Sequence, residues 1–257
     1  LDVPSAHERY ARAVAEEEKR PFALSERLRA ERRLADWIFA PSDFVIGCLA
    51  EDGVPAERIV RIPYGVDAER FAPVADRGDA VFRVLVVGQI SLMKGIKYLL
   101  EAWRLAGLPD SELVLVGDRH PLAEPVLREH AGRFRWAGAT PKHEVDRFFR
   151  EADVLVHASL AEGSALVTDE GMASGLPVVA TTSSGSVVRN GVDGFVIQPR
   201  DPEALAEKLV YLHARPDERR RLGTAGRAAV ESAYTWRHYR QRVAAAYRAI
   251  LADEVPA

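Results

Sequence analysis

Apolar positions along this chain fall into short continuous runs separated by helically spaced ones. The runs at 154–158 and 178–181 consist largely of Val, Leu and Ala and do not alternate with polar residues. Strands of that kind are expected where both faces of a sheet are covered, so the pattern predicts a parallel sheet with helices on both sides. Between the two runs lie a loop of small residues at 159–165 and a short helix at 166–174, which completes one βαβ unit. Further strands are predicted at 82–87, 112–118, 134–138 and 195–199. Helical spacing places Ile96, Leu99, Leu100 and Trp103 on one face, Val145, Phe148 and Phe149 on a second, and Leu205, Leu209 and Leu212 on a third. The fold class is therefore α/β.

The flanks read differently. Residues 1 to about 40 are rich in Ala, Glu and Arg and predict one or two solvated helices broken near Pro21. Ser5 with Glu8 has the form of a helix start, and His7 beside it reads as surface or cap rather than catalyst. Residues 37–52 predict a strand, a helix start at Pro41-Ser42-Asp43 and a short helix. Residues 58–73 predict a strand, a Pro/Gly turn and a helical stretch, followed by a polar linker at 76–79 containing Gly78. Thr140 and Pro141 are placed to cap and open a helix, and Trp136, Phe148 and Phe149 read as core rather than as platforms for a base. Turns are signalled at Asn190-Gly191 and Asp193-Gly194, a helix start at Asp201-Pro202, a solvated face at Arg219, Arg220 and Arg221, and a last helix over 237–252.

Composition narrows the classes. With 257 residues, 47% of them hydrophobic and 28% charged, the chain can bury a substantial core in one or two domains. A formal net charge of −3 offers no field for nucleic acid or membrane. The single cysteine, Cys48, excludes an internal disulfide framework, fits a reducing compartment and reads as a packed thiol within FVIGCLA. No 18-residue apolar span and no signal-peptide pattern is present, so the expected location is the cytoplasm. The chain opens at Leu1 in mid-pattern, which suggests a piece of a longer protein.

Candidate chemistry gathers at the carboxyl ends of the predicted strands, where ligands of parallel sheets bind. Glu162 stands in the loop and Glu170 in the following helix, while Gly163, Ser164 and Ala165 are small enough for a ligand to approach the backbone. Unpaired N–H groups at that helix start suit a phosphate, and carboxylates beside it suit sugar hydroxyls. The bland alternative has Glu162 favouring the helix dipole and Glu170 in solvent. A second loop, GQISLMKG at 88–95, follows a strand and precedes a helix, and Lys94 in it can reach a phosphate or remain a surface charge.

The string E-G-S-A-L-V-T-D-E-G-M-A-S-G-L-P-V-V-A-T from Glu162 to Thr181 resembles the signature of glycosyltransferase family 4, retaining enzymes of the GT-B fold. Its usual form is E-G-F-G-x-x-x-x-E-A-M-A-x-G-x-P-V-V-A, so Glu162 and Glu170 fall on the two acids, with departures at Ser164, Ala165 and Gly171. The loop with Lys94 and Gly95 resembles the family's G-R-x-x-x-x-K-G element, but Gln89 stands where the family has arginine. An amide retains donors and loses the charge that assists a phosphate contact. Residues 58–73 and 183–199 also resemble family segments.

The resemblance implies a Rossmann-like, GT-B carboxyl-terminal domain at 76–235, preceded at 1–75 by an incomplete amino-terminal acceptor domain and linker and followed at 236–257 by a helix crossing back. It implies transfer of a hexose from a nucleoside diphosphate sugar to an acceptor hydroxyl with retention, this chain alone being incomplete for catalysis. Glu162 and Lys94 would be catalytic. The donor would meet Gln89, Lys94, Thr140, Glu162, Gly163, Ser164, Ala165, Leu166 and Glu170, with the leaving phosphate against Lys94, Gln89 and the Ala165 and Leu166 backbone, the ribose at Glu170 and the base near Ala139 and Thr140. With no D-x-D pair, no metal and no other cofactor is required. The acceptor would be a glycan, lipid-linked or small molecule, and any peripheral membrane contact would come through the missing part. Alternatives are a sugar-nucleotide-binding protein without transfer and an epimerase or hydrolase of the same fold. A nicotinamide enzyme fits poorly, because no G-x-G-x-x-G opens a helix after a strand.

Overall fold

The computed structural model describes residues 22–74 and 80–252. The helices expected before Pro21, the Ser5 cap, His7 and the 76–79 linker lie outside the described residues. The chain begins with α1 (Phe22–Leu34), β1 (Ile38–Ala40), α2 (Asp43–Glu51) and β2 (Ile59–Arg61). Then follow β3 (Phe82–Val87), α3 (Ile96–Ala106), β4 (Ser111–Val116), α4 (Glu124–Glu129), β5 (Arg135–Gly138), α5 (Asp146–Glu151) and β6 (Val154–His157). The remainder is α6 (Leu166–Ala173), β7 (Val178–Thr181), β8 (Gly194–Ile197), α7 (Pro202–His213), α8 (Pro216–Ala233) and α9 (Trp236–Leu251).

Strands β3 to β8 form one parallel sheet in the order β5-β4-β3-β6-β7-β8. Side chains alternate between its faces along each strand. Phe82, Val84, Leu113, Leu115, Val154 and Val156 meet Leu99 and Leu100 of α3 and Leu205, Leu209 and Leu212 of α7 on one side. Leu85, Val114, Val116, Leu155 and Val178 meet Phe148 and Phe149 of α5, Met172 of α6 and Val230 of α8 on the other. Both faces are covered, as the unalternating strands require. The fold is α/β and Rossmann-like.

Several element starts follow the side chains that the sequence offers. Ser42 accepts from the Val45 N–H at the start of α2, and Asp201 accepts from the Ala204 N–H at the start of α7. Thr140 does not cap. A 3-10 turn at Lys142–Glu144 with Pro141 before it intervenes, and α5 starts only at Asp146. Trp136 is 43% exposed because β5 is the edge strand, and its indole N–H donates to the Gly117 carbonyl while Arg119 stacks 3.7 Å from the ring centre. Cys48 is exposed as well, since α2 turns Leu49 inward and leaves Cys48 outside. Arg219 departs from the solvated face expected of its cluster, lying over Phe82 and donating to the Leu212 and His213 carbonyls.

Strands β1 and β2 pair in parallel as a separate two-stranded sheet. Helix α9 leans on this part of the chain. Tyr247 packs edge-on to Phe39 at 5.4 Å, Tyr239 lies 5.9 Å from Tyr64, and Arg242 donates to the Pro63 carbonyl at 3.1 Å. Among the described residues no helix is long and apolar enough to cross a membrane.

Candidate functional site

In the six-stranded sheet the chain builds outward from β3 to β5, then returns to the other side of β3 as β6. The loops after β3 and β6 therefore leave in opposite directions and open a crevice at the carboxyl rim, where ligands of such sheets bind. These are the loops that carry Gln89 and Lys94, and Glu162 to Ala165.

Backbone contacts bind the loops together. Leu160 N–H donates to the Met93 carbonyl at 2.8 Å, and Gly95 has φ +71 with the Ala158 carbonyl oxygen only 2.0 Å from where a Cβ would stand. Only glycine accommodates both conditions. Behind the second loop, the Thr181 and Ser183 hydroxyls donate to the Ser159 carbonyl, and Glu162 N–H donates to the Ser183 carbonyl at 2.9 Å. From the other flank, Ser42 donates its hydroxyl to the Gly163 carbonyl.

Glu162 is the centre of the charged groups here. Lys94 Nζ lies 2.5 Å from its Oε2, and His157 Nε2 lies 2.6 Å from the same oxygen. Burial alone would raise this carboxyl, but the hydrogen bonds and charges of His157 and Lys94 outweigh it and hold the pKa at about 2. Gln89 is exposed in the neighbouring loop. Of the small residues, Gly163 is exposed, Ser164 half-buried and Ala165 buried, with the Ala165 N–H donating to the Ser184 carbonyl at 3.1 Å. That amide is engaged, which corrects the expectation of a free Ala165 donor. The open N–H groups of a helix start are then those of Leu166 and Val167.

Glu170 has different neighbours. It is largely buried rather than solvated, and burial raises its carboxyl to about 7 against the opposing charges of Lys142 and Arg70. Lys142 follows closely on Thr140, so the turn after β5 comes near Glu170, while Lys94 and His157 surround Glu162. Beside Glu170, Asp169 is 3% exposed, and burial followed by the Glu170 charge raises it to about 7. His157 and Asp169 escaped the sequence reading. His157 lies within a run taken as apolar, and a polar residue at the last position of a buried strand is the signal that could have found it.

The family model for glycosyl transferases group 1 matches residues 81–215, more than half of the chain and all of this crevice. The chain belongs to the glycosyl transferases group 1. Relatives include the UDP-Gal:alpha-D-GlcNAc-diphosphoundecaprenol alpha-1,3-galactosyltransferase of Escherichia coli, 28% identical over 63% of this chain and 47% of that protein. Another is the MMP alpha-(1->4)-mannosyltransferase of Mycolicibacterium hassiacum, 28% identical over 87% of this chain and 56% of that one. This chain thus spans about half the length of the curated relatives it matches. Among solved structures, sucrose-phosphate synthase from Thermosynechococcus elongatus superposes with a TM-score of 0.78 at 26% identity, over 94% of this chain and 66% of that chain. Anabaena Alr3699/HepE in complex with UDP and glucose superposes at 0.77 and 21% identity, over 91% and 69%, a likeness of fold.

Proposed function

We propose that the crevice binds a nucleoside diphosphate sugar and that the whole protein transfers its hexose to an acceptor hydroxyl with retention of configuration. The observation that carries this reading is the meeting of Lys94 and Glu162, from two loops, at the reversal of strand order beside the start of α6. A diphosphate would draw on Lys94, Gln89 and the Leu166 amide, which stabilise the departing phosphate electrostatically. Glu162 would orient the sugar and Glu170 the ribose hydroxyls, with the base toward Ala139 and Thr140. The nearness of Lys142 to Glu170 supports the last placement, because it brings the turn after β5 to the ribose side. No metal enters the proposal. It also assigns residues 1–75 to an acceptor-side domain and 236–257 to a helix crossing back toward it, for which the separate β1-β2 sheet and its contacts with α9 are the support.

Thermal shift tests the reading, since a ligand that binds only the folded state raises Tm. At least one of UDP, GDP, ADP, UDP-glucose, GDP-mannose and ADP-glucose is expected to raise the Tm of this chain. Glu162→Gln is expected to reduce the response to the sugar nucleotide more than the response to the nucleoside diphosphate. No response to any of the six would count against it.

A further inference from the structure

His157 stands at the carboxyl end of β6, on the rim of the crevice. It is the last residue of β6, paired in register with Ala180 of β7, and only 5% exposed. The side-chain contact of its ring is with Glu162, through Nε2 and Oε2 at 2.6 Å. Lys94 Nζ contacts that same oxygen from the other loop. One carboxylate oxygen is thus held from two sides by groups of unequal freedom. The lysine is a flexible stem ending in a point charge, while the imidazole is a planar ring on a strand fixed by the ladder.

Resting on the donor reading above, we propose that His157 is a positioning residue which keeps Glu162 aimed at the donor sugar once the diphosphate has taken Lys94. A diphosphate carries more charge than a carboxylate and presents several strong acceptors, so it outcompetes Glu162 for the ammonium. Glu162 then loses one of its two partners just when its carboxylate must be ordered. Without a second partner the side chain regains rotamer freedom, which sugar binding would have to remove again. The imidazole N–H prevents this, holding Oε2 from the strand side while Oε1 is turned to sugar hydroxyls. This hand-over assigns the Nε2-protonated form to His157 and no proton transfer. It predicts that the histidine matters to the sugar nucleotide and little to the nucleoside diphosphate, which calls on Lys94 and not on Glu162.

Two variants and one spectroscopic reading test it on the whole chain. His157→Leu keeps apolar volume and removes the donor, whereas His157→Gln places an amide N–H near the position of imidazole Nε2. Binding is measured by calorimetry with the nucleoside diphosphate and the sugar nucleotide, drawn from the six ligands above, that raise the wild-type Tm most. His157→Leu is expected to weaken the sugar nucleotide about tenfold, the loss of one hydrogen bond to a charged group, and to leave the nucleoside diphosphate within about twofold. His157→Gln is expected to recover most of the loss. In addition, the nitrogen-15 shifts of His157 in the Lys94→Ala protein are expected to report an Nε2-protonated ring, because the contact with Glu162 does not depend on the lysine. Unchanged sugar-nucleotide affinity in His157→Leu, an equal loss for both ligands, a Gln variant no better than Leu, or an Nδ1-protonated ring in Lys94→Ala would each overturn the role of His157. Failure of wild-type protein to bind any of the six would instead overturn the donor reading, and the hand-over with it.

Discussion

A carboxyl shut away from water without a strong partner prefers to keep its proton, and Asp169 is such a group. The Thr168 hydroxyl donates to it only at 3.5 Å, while burial and then the neighbouring Glu170 raise it to about 7, against an ordinary value of 3.8. The folded state therefore holds this proton more tightly than the unfolded chain. Its favourable contribution is complete below about pH 4 and is lost as pH rises through about 7, a swing on the order of 4 kcal/mol if fully expressed. Asp169→Asn is expected to be more stable than wild type in urea unfolding at pH 8, with the gap narrowing as pH falls toward 5. A gap of the same size at both pH values would refute the buried charge as its cause. Glu162 runs the other way: held at about 2, it contributes stability above its ordinary 4.5 that is lost only as pH falls through about 2. The acid pair of the sequence signature, legible as a spacing, thus consists of two groups in opposite electrostatic settings.

Helix α6 lies against α8, and the closeness depends on glycines. A Cβ on Gly223 would stand 1.9 Å from the Gly175 carbonyl oxygen, a backbone atom with no rotamer to yield. A Cβ on Gly226, one turn along the same helix, would have Met172 Cβ at 3.4 Å as its nearest neighbour, an ordinary contact. Alanine in a helix is favoured over glycine by about 1 kcal/mol, whereas forcing atoms into a packed interface costs roughly 1–3 kcal/mol. Gly223→Ala is therefore expected to lower Tm, and Gly226→Ala to leave it unchanged or raise it slightly. Equal effects of the two would show that the helix spacing is not set at Gly223. Gly171, where the family signature has alanine, faces the sheet instead, with Leu155 Cδ2 only 2.5 Å from a Cβ placed there. Glycine there lets α6 lie close on β6 and β7.

At the scale of the whole molecule, one arginine ties the stretch after β2 to the helices that cover the six-stranded sheet. Arg227 Nη1 of α8 is within 2.8 Å of the carbonyls of Ala68, Phe71 and Ala173, joining the stretch after β2 and the end of α6 to α8. Arg227→Met is expected to lower stability by roughly 1–3 kcal/mol in urea unfolding, since it strands partly buried acceptors. Faster amide exchange should appear around 66–71, and a variant as stable and protected as wild type would count against the tie. The same scale shows why some features were legible beforehand and others not. Element type and order follow from local periodicity, so the strands from β3 to β8 and the helices α3, α5 and α6 between them could be named from the sequence, whereas the six-residue α4 is too short to show a period and was not. The two loops of the site were likewise legible, being breaks between buried strands and the helices that follow them. Neither periodicity nor spacing says which strand lies beside which. That neighbourhood decided that Lys94 and His157 share one oxygen of Glu162, that edge-strand Trp136 stands half outside, and that Asp169 loses its water. Those outcomes belong to the tertiary structure because desolvation and side-chain pairing arise only when distant segments exclude solvent together.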